Sequence, residues 1–193
     1  METHLLFLIV IFAGLALGIY GVVIQRGANL IRTDARTAVM SLIWGTVQLG
    51  ASLAGYETGS WILRFELERE RSIFWIHILA GVIFAGIGIR MLLKAFQKKT
   101  YLEHRMENLD IREDIVLALR LCIHAFFTGI ACALLRFSLP AVLICAFVIT
   151  AASAVGGYIS GQIWGAEPSG KAYAIGGGLL CLVSVALQVV EKI

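Results

Sequence analysis

Charge is scarce in this chain. Asp, Glu, Lys and Arg make up 15% of its 193 residues, against about 25% in a soluble globular domain. Proline is scarcer still, with only Pro140 and Pro168, so the first two thirds of the chain contain no residue that must break a helix. The strings H-E-x-x-H, G-x-x-x-x-G-K-S/T and G-x-S-x-G do not occur, which removes the familiar zinc-peptidase, phosphate-loop and nucleophile-elbow enzymes. There is no C-x-x-C; Cys122, Cys132, Cys145 and Cys181 stand singly in apolar segments, the usage of small packing residues. A net charge of +3 gives no electrostatic footprint for nucleic acid.

Apolar residues fill the space that charge leaves. They account for 59% of the chain, and the mean hydropathy is +0.86. These values describe an integral membrane protein. The opening "METHLLFLIVIFAGLALGIYGVVI" lacks a basic leading region, and its apolar run is too long for a signal-peptide core. It is expected to stay as the first span.

A membrane span needs about 20 mostly apolar residues. Six such stretches are present, at roughly 5–25, 37–56, 72–96, 114–135, 138–163 and 172–190. The expected fold is therefore all-α. Connections are short except at 97–113, a charged stretch that divides the chain into 1–96 and 114–193. Ten Lys and Arg follow spans 1, 3 and 5, whereas five lie on the other side. The positive-inside rule then places the 97–113 linker in the cytoplasm and both termini outside. A bacterial inner membrane is the expected location.

The two halves repeat one another. "LAGYETGSW" (53–61) matches "VGGYISGQI" (155–163) at an offset of 102, and "LGIYGVVIQ" (17–25) lies on "IHAFFTGIA" (123–131) at an offset of 106. Three spans per half is an odd number, so the halves must have opposite topology. Inverted repeats are a recurring transporter architecture with the site near the midplane. Gly55 and Gly59 form G-x-x-x-G, as do Gly157 and Gly161, a spacing that lets helix backbones approach closely in lipid.

Several strings, taken in order, resemble the manganese efflux pump (MntP) family within the LysE-type exporter group. "RGANLIRTDARTAVMSLIWGTVQLGASLAGYETGSWI" resembles that family's passage from span 1 into span 2, "GIRMLLKAF" its span 3 end, "HAFFTGIACALLRFSLP" its span 4 and "GGYISGQIWG" its span 5 end. The resemblance implies ion efflux, manganese first. It also exposes three departures. The family's span 1 motif S-x-D-A-F-A is here "ALGIYGV", with Gly18 at the aspartate position. Its span 4 motif S-L-D-A is "CIHA", with His124 at the aspartate. Its span 2 G-A-V-E is "GTVQ", with Gln48 at the glutamate.

Manganese(II) favours carboxylate, carbonyl and water oxygens and accepts imidazole. Gln48 and His124, with hydroxyls from Thr128, Thr150 and Ser153, make a poor substitute for carboxylates. Gly18, Gln48, His124, Thr128, Thr150 and Ser153 are the expected lining of a substrate path between spans 1, 2, 4 and 5, with His124 the one candidate metal ligand. Arg120, one helical turn before His124, either joins that path or snorkels toward Glu113 or Asp114. Softer metals, a proton-coupled solute and an anion remain open as substrates. So does a different class, a non-transporting membrane scaffold that keeps the fold. No cofactor, enzyme activity or nucleic-acid partner is expected. The partners are the bilayer and a small ion or solute, with a homo-oligomer left open.

Overall fold

The computed structural model describes residues 2–30, 35–66, 72–97 and 111–190. They form six helices: α1 (Glu2–Ala28), α2 (Ala35–Glu66), α3 (Ser72–Phe96), α4 (Ile111–Leu134), α5 (Leu139–Trp164) and α6 (Ser169–Val190). All six are long and apolar enough to cross a membrane. Most of the linker, at 98–110, lies outside the described residues; α4 begins inside its expected end, at Ile111. Because the spans alternate in direction, the ends of α1, α3 and α5 and the starts of α2, α4 and α6 share one face, here called the linker face.

The helix ends follow local chemistry. At the end of α4 the Phe137 N–H donates to the Cys132 carbonyl at 3.0 Å and the Arg136 N–H to that of Ala133 at 2.9 Å. This is the Schellman pattern, and Arg136 occupies its left-handed position with φ 57°. Pro140 sits in the first turn of α5, where no intrahelical N–H is required. Gly165 closes α5 with φ 70° and an N–H bond of 2.9 Å to the Gly161 carbonyl. Trp61 and Trp75 stand exposed near one face and Trp164 near the other, as in the aromatic belts of membrane interfaces.

Glycine sets the helix pairing. A Cβ at Gly55 in α2 would overlap the Phe126 carbonyl oxygen of α4, and one at Gly59 would stand 2.8 Å from the Ile130 carbonyl oxygen. In the other half, a Cβ at Gly157 in α5 would lie 3.2 Å from the Tyr20 carbonyl oxygen of α1, and one at Gly161 would overlap that of Ile24. Phe126 and Ile130 are 106 residues beyond Tyr20 and Ile24, and Gly157 and Gly161 are 102 beyond Gly55 and Gly59. The same contact is therefore built twice, in each case between one half's middle helix and the other half's first. α3 packs antiparallel on α6, with Gly88 against Gly177 and Gly81 against Ser184. Trp44, Phe84, Phe12 and Tyr158 are fully buried in the shared core.

One boundary differs from expectation. Span 2 was expected to stop near residue 56, where the apolar run ends, but α2 continues to Glu66. Its packing explains the extension. Gly59 still abuts α4, and the Tyr56 hydroxyl donates to the Phe137 carbonyl at 2.7 Å. Tertiary contact holds a turn that hydropathy alone would release.

Candidate functional site

A small cavity lies between α1, α2, α3, α4 and α6. Its volume is about 10 Å³, room for about one water-sized particle. Gly18, Gln48 and His124 all line it, so three positions far apart in sequence meet at one point. Gly18 contributes space: a Cβ there would stand 3.0 Å from Cε of Met91. Gln48 lies thirteen residues from the start of α2 and His124 thirteen from the start of α4, about 20 Å from the linker face along each helix.

Gln48 is 1% exposed and His124 9% exposed. Neither Nε2 nor Oε1 of Gln48 has a hydrogen-bond partner among the described residues, and neither does Nε2 of His124. An unpaired buried amide is costly, at about 1–3 kcal/mol. Such groups stay in a membrane interior when something else visits them.

The remaining polar lining comes from α3 and α6. Arg90 and Lys94, spaced one turn apart, border the cavity with Tyr173. The Lys94 ammonium lies 5.7 Å from the centre of the Tyr173 ring, a cation–π contact. Sequence reasoning missed all three. Arg90 and Lys94 were read only as topology signals at the end of span 3. Yet Arg90 lies six residues inside that end, just as Arg120 lies six residues inside the expected start of span 4 at 114.

The other expected residues fall elsewhere. Thr128 and Thr150 are buried, and Ser153 is half-buried, but none lines the cavity. Thr128 Oγ1 has no hydrogen-bond partner among the described residues. Arg120 requires a correction: it is exposed and does not line the cavity. Four residues rotate a helix by about 400°, leaving a residual of about 40°. His124 sits at the edge of the buried arc of α4, so its neighbour one turn earlier falls outside that arc. The acids at the start of α4 are held instead by Arg26. Its Nη2 lies 2.9 Å from Glu113 Oε2, and its Nε lies 2.8 Å from Asp114 Oδ1. The Tyr158 hydroxyl donates to Asp114 Oδ2 at 2.9 Å. This cluster ties α1, α4 and α5 together at the linker face, with a cation in the last turn of α1 and acids in the first turn of α4, where the helix dipoles favour them.

Comparison with known proteins gives a consistent result. The family model described as "Putative manganese efflux pump" matches residues 32–188. The chain is 27% identical over 184 residues to a protein of Methanothermobacter thermautotrophicus named "Putative manganese efflux pump MntP", covering 94% of each chain. A protein of the same name from Bifidobacterium longum subsp. infantis is 26% identical over 179 residues, covering 92% of this chain and 90% of its own. One from Neisseria meningitidis is 23% identical over 176 residues, covering 91% and 89%. No solved structure matches.

Proposed function

The chain belongs to the manganese efflux pump family, and we propose on that premise that it is a membrane exporter of small ions whose path runs through the Gly18–Gln48–His124 cavity. The carrying observation is the pair of buried side chains, Gln48 and His124, that present unpaired polar atoms there. A scaffold that had lost transport would be expected to fill this space with apolar side chains. Residues 1–96 and 114–193 are read as inverted repeats, a reading that the twice-built glycine contacts support. In this reading the protein spans a bacterial inner membrane with the 97–113 linker in the cytoplasm and both termini outside. It moves its ion outward by rocking the halves against each other, with no enzyme chemistry.

Manganese(II) is the ion that family membership nominates, but among the described residues the cavity lining contains no carboxylate. Weak manganese export, or none, is therefore expected. The test is manganese tolerance of an efflux-deficient bacterial host carrying the native chain or the triple variant Gly18→Asp, Gln48→Glu, His124→Asp at equal membrane levels. Asp fits at position 18 because the neighbour it meets is the flexible end of Met91. The triple variant is expected to confer the greater tolerance. Full tolerance from the native chain, lost on His124→Ala, would overturn the diverged site and establish a manganese pump with other ligands.

A further inference from the structure

The geometry points to a small inorganic anion, of halide size, as the ligand of the central cavity. This rests on the exporter reading above and gives its site a substrate class.

Consider which charges meet at the cavity. Lys94 and Arg90 stand one turn apart near the end of α3. Gln48 on α2 and His124 on α4 border the same space. All four line one cavity, and among the described residues no Asp or Glu joins them. One wall of the cavity is therefore cationic and the facing wall neutral. A guanidinium stays protonated at any physiological pH, so the Arg90 charge is permanent. A divalent cation entering here would meet like charge twice and find no carboxylate to offset it. An anion would be drawn in by the same two groups, since fixed charges beside low-dielectric walls concentrate counter-ions.

The neutral wall offers an amide donor. The Gln48 amide carries two N–H groups, whereas His124 is bonded to the Leu121 backbone, so its Nε2 donates only when the ring is protonated. Both side chains are nine-tenths buried or more, and the Gln48 amide and His124 Nε2 are without a hydrogen-bond partner among the described residues. The cavity volume of about 10 Å³ admits a single-atom ion and is too small for a larger organic anion. Glu113 and Asp114, at the start of α4, are paired to Arg26 and do not line this space.

The test uses the purified full-length protein in liposomes. Fluoride or chloride efflux is read with an ion-selective electrode and valinomycin to release the membrane potential; gluconate serves as the blank anion. Manganese entry is read in parallel by quenching of trapped calcein. The expected result is halide flux that falls at least tenfold in Arg90→Gln and in Lys94→Gln, stays within threefold in Arg90→Lys, and is unchanged in Arg120→Gln, whose side chain lies outside the cavity. Manganese flux without halide flux would overturn the anion site while leaving an exporter. If neither ion moves, the exporter reading falls, and the site is judged on binding alone. In that case chloride, compared with gluconate, should raise the thermal midpoint of the native protein in detergent and not that of Arg90→Gln. Absence of a halide-dependent shift in the native protein would overturn the anion site itself.

Discussion

Arg26 Nε lies 2.8 Å from Asp114 Oδ1, joining the last turn of α1 to the first turn of α4 across the midpoint of the chain. The side chain of Asp114 is 1% exposed, whereas that of Glu113, Arg26's other partner, is 56% exposed. The two contacts should therefore differ in weight. Removing Arg26 leaves a buried carboxylate with its Tyr158 hydrogen bond but without its cation, a change that costs on the order of 3–5 kcal/mol in buried pairs. Removing Glu113 disrupts an exposed pair worth about 0–1 kcal/mol. Arg26→Gln should lower the thermal midpoint in detergent far more than Glu113→Gln, as followed by size-exclusion chromatography after heating. Equal shifts would mean that Asp114 is adequately held by Tyr158.

The paired glycines predict matched damage in the two halves. Gly55→Val and Gly157→Val each put bulk against the backbone of a neighbouring helix, and both should abolish a monodisperse folded peak. Gly50→Ala and Gly178→Ala, whose added carbons meet nothing within 4 Å, should instead be neutral or stabilise by about 0.5–1 kcal/mol through lower chain entropy. Tolerance of valine at either position 55 or 157 would show that the close packing is dispensable.

The cavity amide predicts a trade between stability and activity. Gln48 buries an amide with no partner among the described residues, so Gln48→Leu removes a desolvation cost of about 1–3 kcal/mol. The thermal midpoint should rise while ion flux in liposomes falls. A drop in both would indicate instead that the amide is a structural bond.

The proposed orientation is open to chemical labelling. In a background with the four native cysteines replaced by alanine, a cysteine at Glu103 should resist a membrane-impermeant maleimide in intact cells. One at Ser138, exposed in the α4–α5 turn at the opposite face, should react. Reversal of the two reactivities would invert the topology.

Much of this protein was written locally. Six apolar runs of spanning length and two G-x-x-x-G strings are properties of neighbouring residues, and hydropathy and spacing suffice to read them. So are the non-acidic residues at positions 18, 48 and 124, which needed only motif comparison. Convergence is not local. That Gly18, Gln48 and His124 share one cavity depends on how α1, α2 and α4 pack. That Arg90 and Lys94 join them, while Arg120 does not, depends on the rotation of each helix about its axis. A residual of about 40° per four residues is enough to move a side chain from the buried arc to the exposed one. The extension of α2 to Glu66 likewise came from Gly59 and Tyr56 holding it against α4 and the turn beyond, not from its own apolarity. The sequence by itself determined which segments cross the membrane, because each span's burial in lipid is decided one helix at a time. Only the tertiary structure decided which charges face the cavity, because that depends on the rotation and contact of helices remote in the chain.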